Sequence, residues 1–272
     1  MSLASQPIIL QTGSMRRYSP SEFLKPFVQT YLIIESHEEL KNTLIPGSSV
    51  VLFFKIRGSV SELEEGSETR TPLFGLSGLR RKARIAHYSK NSSMLLVLFK
   101  EGGASSFFRE PMHEIFGMGL SMENFMQSSK VQEIEEKLLE AKTDQERISR
   151  LESILVSEWR GSGFDPLIRE TIRRIRAAKG DLRIADLVKG MPISRDSLEK
   201  KFRQIIGTSP KQYAGIIRMR NLIDSYSPEK SLTETAIQAG FFDQAHFIKD
   251  FKIFTGQTPK EFFKSPSPRR FW

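Results

Sequence analysis

Two kinds of periodicity divide this 272-residue chain. Between residues 17 and 100, short apolar runs alternate with turn formers. Segments 28–34, 49–56, 73–76, 82–88 and 94–99 are mostly rich in β-branched, aromatic and other apolar residues, which predicts strands. Pro46-Gly47, Arg57-Gly58, Gly66-Ser67 and residues 89–93 supply turns, and residues 62–69 read as an exposed acidic loop. Several short strands with turns between them predict a small β-barrel or sandwich. Past Gly102-Gly103 the period becomes helical. Ile134, Leu138, Leu139 and Ala141 form one amphipathic stretch, and Ile148, Leu151, Ile154, Leu155 and Trp159 another, split near Thr143-Asp144. Gly161-Ser162-Gly163 reads as a linker.

Beyond the linker the pattern repeats itself at an offset of 49 residues. Lys200 matches Lys249, Phe202 matches Phe251, Gly207 matches Gly256, and Thr208-Ser209-Pro210-Lys211 matches Gln257-Thr258-Pro259-Lys260. In the first copy Ile184, Leu187 and Val188 make a short helix, and Gly190-Met191-Pro192 breaks it. Ser194 caps a second helix over 195–206, which Gly207 ends. Its Leu198, Phe202, Ile205 and Ile206 share the core face. In the second copy Leu232, Thr235, Ala236 and Ile237 form the short helix and Gly240 turns the chain. Asp243 then caps a helix over 244–255 that ends at Gly256, with Phe247, Phe251 and Phe254 inward. Residues 210–223 between the copies suit one long connecting helix. Two helices joined by a glycine-bearing turn make a helix-turn-helix, whose second helix can enter the major groove.

The outward face of each second helix carries the candidate DNA contacts. These are Arg195, Asp196, Glu199, Lys200 and Arg203 in the first copy, and Gln244, Ala245, Ile248, Lys249 and Lys252 in the second, with His246 on the flank. The positions i, i+1, i+4, i+5 and i+8 form one stripe. Arg195 can pair bidentately with guanine, Gln244 with adenine, and Asp196 or Glu199 can accept from cytosine. Ala245 and Ile248, apolar on a face expected to be solvated, suit thymine methyl groups. Lys200, Lys249, Arg203 and Lys252 read guanine or meet phosphates.

Charge sharpens this picture. Residues 1–160 hold 20 Lys+Arg and 20 Asp+Glu, while residues 161–272 hold 21 Lys+Arg against 12 Asp+Glu, the whole net charge of +9. A basic part beside a neutral one is the electrostatic footprint of a polyanion-binding domain. The longest apolar runs fall far short of the ~20 residues of a membrane helix, so no membrane partner is expected. Residues 1–12 show no basic run followed by an apolar stretch, so no secretory signal is expected either. The absence of cysteine excludes disulfides and thiolate chemistry and suits a reducing cytoplasm.

The repeat domain, about residues 166–264, resembles the AraC/XylS family of bacterial regulators. The resemblance rests on Ala239-Gly240-Phe241-Phe242-Asp243-Gln244-Ala245-His246-Phe247-Ile248-Lys249-Asp250-Phe251-Lys252, then Gly256-Gln257-Thr258-Pro259-Lys260-Glu261-Phe262, with Arg218-Met219-Arg220 in the connecting helix. It implies an all-helical domain of two helix-turn-helix units bridged by a helix, and RNA polymerase as a partner. The N-terminal half more faintly resembles the cupin-like sensor domains of such regulators, and Phe99-Lys100-Glu101-Gly102-Gly103-Ala104 resembles a corner that recurs in one subset. Departures include Val188-Lys189-Gly190, Thr235, and the acidic pair Asp196 and Glu199.

The expected architecture is therefore α+β: a β-barrel or cupin-like sensor and dimerisation domain with following helices (1–160), an all-α DNA-binding domain (164–264) and a basic tail (265–272). Double-stranded DNA is the expected partner, with a small-molecule effector and homodimer formation attached to the N-terminal half. Phe27, Tyr31, Phe53, Phe54, Phe74 and Phe99 are candidates to line an apolar effector pocket, and Leu138, Leu151 or Leu155 to form a dimer face. His37, His87 and His113 are isolated, so neither metal nor cofactor is expected, although His87 lies in a strand-like run that can face a pocket. No triad spacing, P-loop or dinucleotide glycine motif points to an enzyme. The competing reading is a small-molecule-binding or catalytic barrel with an appended basic helical interaction domain.

Overall fold

The computed structural model describes residues 8–10, 13–64, 67–161, 163–227, 231–241 and 243–264. The basic tail 265–272, Ser162 of the linker and Phe242 of the repeat lie outside the described residues. The architecture is α+β, as expected.

The strands are β1 (Ile8–Leu10), β2 (Gly13–Tyr18), β3 (Val28–Ser36), β4 (Leu40–Leu44), β5 (Val51–Arg57), β6 (Val60–Glu64), β7 (Ser67–Arg70), β8 (Phe74–Ser77), β9 (Arg84–Tyr88), β10 (Ser92–Phe99) and β11 (Gly119–Ser121). They form a seven-stranded antiparallel sheet, β1-β2-β3-β10-β5-β8-β11, and a four-stranded one, β4-β9-β6-β7. Residues 62–69 are no free acidic loop. Their ends pair as the β6–β7 hairpin, and Glu62 bonds Arg80 and Arg84.

β10 sits at the centre of the large sheet, and all eight of its residues are buried. The register explains why. Leu96 lies opposite Leu32 of β3 and Phe53 of β5, and this row meets Val60, Ala86 and Tyr88 of the small sheet inside the barrel. Leu95 lies opposite Ile33 and Phe54, and that row faces the helices. A strand covered on both faces has no reason to alternate in polarity. Helix α1 (Ser128–Glu140) buries Val131, Ile134 and Leu138 on this second face, and α2 (Asp144–Glu158), capped by Thr143, buries Ile148, Leu151 and Leu155. Leu138, Leu151 and Leu155 therefore belong to the core and are not a dimer face, because their apolar faces are already covered by the sheet.

Helices α3 (Pro166–Ala177), α4 (Ile184–Leu187), α5 (Arg195–Ile206), α6 (Pro210–Ser225), α7 (Leu232–Gln238), α8 (Gln244–Thr255) and α9 (Pro259–Lys264) complete the chain. One hydrophobic cluster runs from Leu24 on the barrel side through Phe202 and Phe251 to Phe262, so the two parts share a packed seam. The corner after β10 forms that seam. Gly102 takes φ +78°, and a Cβ there would lie 2.1 Å from the Phe164 ring and 3.1 Å from Ile205 of α5. The next side chain back, Glu101, accepts hydrogen bonds from Arg176 of α3, from the Tyr213 hydroxyl of α6 (3.2 Å) and from Ser48 (3.1 Å). Arg220 Nε donates to the Pro46 carbonyl at 2.8 Å, fastening α6 to the barrel rim.

Candidate nucleic-acid interface

From the second helix onward the two repeats fold alike, whereas the first helix has four residues in one copy and seven, with a capping box, in the other. The Ser194 side chain accepts from the Ser197 amide at the start of α5, and Asp243 accepts from the His246 amide at the start of α8, so each cap satisfies an orphan helical N–H. Gly207 (φ +97°) and Gly256 (φ +78°) end the two helices in the left-handed conformation. The matched aromatic pairs pack edge to face: Phe202–Tyr213 at 5.5 Å and Phe251–Phe262 at 5.3 Å between ring centres. Leu198 and Phe247 occupy equivalent buried positions. Ser209 and Gln212 form a capping box for α6, and Thr258 and Glu261 exchange the same bonds on α9.

Two arginines brace the units. Arg174 of α3 donates to the Leu187 and Lys189 carbonyls, fixing the turn between α4 and α5. Arg218 of α6 stacks over the Phe241 ring at 4.3 Å and reaches the Gly240 carbonyl, fixing the turn between α7 and α8. Gly240 has φ +78°, and a Cβ there would lie 2.6 Å from the Asp181 carboxylate. Helix α6 thus anchors the first unit through Tyr213 and the second through Arg218.

On α5, Arg195, Asp196, Lys200 and Arg203 are exposed. Glu199 is half-buried and accepts from Arg203 at 3.1 Å one turn on, so neither is an idle group waiting for DNA. An exposed pair of this kind is worth about 0–1 kcal/mol and yields readily to a stronger partner. Lys201, beside the stripe, is held by Asp165 at 2.6 Å and serves the fold. On α8, Gln244, Ala245, His246, Lys249 and Lys252 are exposed. Ile248 departs from expectation: it is half-buried and packs on the edge of the core, offering only part of its side chain outward. The remaining polar stripe on each helix lies on the face opposite the buried aromatic one.

The barrel's candidates rearrange more. Of the six aromatics proposed for a pocket, only Phe53 faces the cavity inside the barrel. Phe27, Tyr31, Phe54, Phe74 and Phe99 fill the core between sheet and helices. His87 projects from the opposite face of β9, between Glu39 (2.7 Å) and Glu68 (3.1 Å). The hydrogen bond it donates to Glu68 raises its pKa above the ordinary 6.5, outweighing an opposing burial effect, and the bond to Glu39 adds to the rise. Among the described residues no three His, Cys, Asp or Glu side chains gather where they can hold a metal ion, and no helix is long and apolar enough to cross a membrane. Sequence reasoning missed the cavity's basic wall. The run Arg80-Arg81-Lys82-Ala83-Arg84, conspicuous in an otherwise neutral half, was its signal.

Comparison with known proteins agrees with this geometry. Residues 187–265 match the family model described as a helix-turn-helix domain, and residues 16–121 match one described as a domain of unknown function (DUF6597). The Msm operon regulatory protein of Streptococcus mutans is 35% identical over 86 residues, 30% of each chain. An uncharacterised HTH-type transcriptional regulator of Staphylococcus aureus is 31% identical over 83 residues, 30% of this chain but 11% of that protein. The matches thus span a minor share of these relatives' length. Among solved structures, ToxT from Vibrio cholerae is similar over 85% of this chain and 96% of its own, with 14% identity and a TM-score of 0.44. A probable AraC family transcriptional regulator from Rhodopseudomonas palustris is 26% identical over 38% of this chain and 100% of its own, with a TM-score of 0.33. The duplicated, capped and cross-braced part of this chain, which includes the matched residues 187–265, is thus a helix-turn-helix domain of the AraC type.

Proposed function

We propose that this protein is a sequence-specific transcriptional regulator. In this reading α5 and α8 enter successive major-groove segments of one DNA face, about 34 Å apart. The observation that carries it is the twofold occurrence of one exposed polar stripe on two helices of identical construction, tied to a single rigid connector. Arg195 and Gln244 read base edges, with Asp196 and Glu199 tuning the first helix. Ala245 and the exposed edge of Ile248 meet thymine methyl groups. Lys200, Arg203, Lys249 and Lys252 hold phosphates or guanine, and His246 touches the flank. Residues 164–264 serve as the DNA-binding part and residues 1–160 as the sensor. RNA polymerase and a second copy of the chain are proposed partners, the latter through surfaces other than the buried leucines.

A gel-shift titration across salt tests this reading on DNA selected from random sequence. Affinity should fall steeply, with a log–log slope of about −0.9 per phosphate neutralised. Arg195→Ala and Gln244→Ala should each relax preference at particular base pairs by about 1–3 kcal/mol. Lys252→Ala should weaken all DNA alike and flatten the salt slope by about one. If all three variants bind selected and random DNA like the parent, the competing view gains: a ligand-binding or catalytic barrel with a protein-contacting basic domain.

A further inference from the structure

A cavity of about 490 Å³ opens where the barrel interior meets the DNA-binding helices. Part of its wall is apolar: Phe53, Met94, Leu96 and Leu98 of the large sheet, with Val60 and Tyr88 of the small one. The rest is strongly basic. Arg17, Arg80, Lys82 and Arg84 line it from the barrel and Arg176 and Arg220 from α3 and α6, against only two carboxylates, Glu62 and Asp224. Arg80 and Arg84 converge on the same Glu62 carboxylate, at 3.1 Å and 3.2 Å for its Oε2. Arg80 Nε is buried with no acceptor in reach. Lys82 has no acidic partner among the described residues. A buried guanidinium N–H without an acceptor, in a wall with surplus positive charge, is a place where an incoming oxyanion gains most and a neutral polyol least.

We propose that this cavity binds a small organic anion. Its carboxylate or phosphate is received by Arg80, Lys82 and Arg84, and its apolar body lies against Phe53, Leu96 and Leu98. The volume suits a ligand of drug-like size. The site is also bipartite. Arg176, Ile217, Arg220 and Asn221 come from the DNA-binding helices, and Arg176 is the same side chain that holds Glu101 at the seam. A ligand in the cavity therefore touches walls supplied by both the barrel and those helices, and by linkage its affinity and that for DNA change together. This last consequence, unlike the assignment of the cavity, rests on the regulatory reading above.

The test uses the full chain and two dyes with one aromatic frame: 1-anilinonaphthalene-8-sulfonate, an anion, and neutral N-phenyl-1-naphthylamine. The anionic dye should bind once per chain and the neutral one at least about tenfold more weakly. Lys82→Gln, an exposed change harmless to folding, and Arg80→Gln should each weaken the anionic dye by about tenfold, and Ala86→Phe, which fills the cavity, should abolish its binding. Competition by 1-naphthoate and 1-naphthyl phosphate, but not by 1-naphthol, should displace the dye, and the stronger competitor tells whether the carboxylate or the phosphate is the native head group. Equal affinity for the two dyes, or anionic binding unmoved by both Lys82→Gln and Ala86→Phe, would overturn the assignment. In a parallel gel shift, saturating competitor should alter DNA affinity. Unchanged DNA affinity beside intact dye binding sinks the coupling and leaves the anion site standing. Intact dye binding in a chain that shows no salt-sensitive DNA binding sinks the regulator alone.

Discussion

Replacing Glu101 by Ala probes the seam between barrel and DNA-binding helices at its most interconnected residue. Three donors lose the carboxylate: Arg176, which keeps Ser48 Oγ at 3.4 Å, Tyr213 and Ser48. They do not lose equally. The Tyr213 side chain is 0% exposed, so its hydroxyl proton stays buried without an acceptor even though Arg176 still approaches its oxygen, at a cost of about 1–3 kcal/mol. Arg176 is half-exposed and regains water, so its loss is about 0–1 kcal/mol. Ser48 adds about 0.5–1 kcal/mol. The expected total is about 1.5–5 kcal/mol. The orphaned hydroxyl dominates, so removing it should rescue stability. Tyr213→Phe alone should cost about 1 kcal/mol. The double variant should be less destabilised than the sum of the singles by about 1–2 kcal/mol. Urea unfolding of the four proteins measures all three quantities through the midpoint at constant slope. Strict additivity, within about 0.5 kcal/mol, would refute the argument, since it would mean that Tyr213 does not depend on Glu101.

Further expectations concern the same framework. The Glu101 carboxyl is pushed up by burial, but the hydrogen bond and charge of Arg176 outweigh this and hold it below the ordinary 4.5. Its contribution is therefore full above the unfolded value and lost as pH falls through the folded one; hydrogen exchange at the seam should quicken in acid, and not in Glu101→Gln. Gly256→Ala meets nothing nearer than the Ala83 methyl at 3.9 Å and should cost only the left-handed conformation, about 1–2 kcal/mol. Gly207→Ala at the equivalent position adds a Cβ 2.9 Å from the Met112 carbonyl oxygen and should cost about 1–3 kcal/mol more, so equal melting losses would deny the docking of α5 on that turn. Leu138→Ala should cost about 2–5 kcal/mol, whereas Leu139→Ala on the exposed side of α1 should stay within about 0.5 kcal/mol; the reverse order in thermal melts would return Leu138 to a pairing surface.

The features legible from sequence are those whose causes lie close together along the chain. The bounds of α5 and α8 follow from a cap, a helical apolar period and a glycine that alone tolerates positive φ, all within about one helix length. The duplication adds a second, independent copy of each signal, and the aromatic pairs Phe202–Tyr213 and Phe251–Phe262 are 11 residues apart in both. Strands β3, β5 and β10 were visible as apolar runs, but β4, β6 and β7 carry mixed or polar residues and become strands only because partners pair with them. Periodicity could also not say which face of the central sheet meets the cavity and which the helices, since both are apolar; that choice separated Phe53 from the other five aromatics. Glu101 meets Arg176 across 75 residues and Tyr213 across 112. Such pairs leave no periodic trace, because a charge's partner is set by where the folded backbone brings it and not by its neighbours in the chain. Helices α5 and α8 were thus determined locally, whereas the cavity, its surplus of positive charge and its bridge to α3 and α6 exist only once the barrel has closed against the helical part.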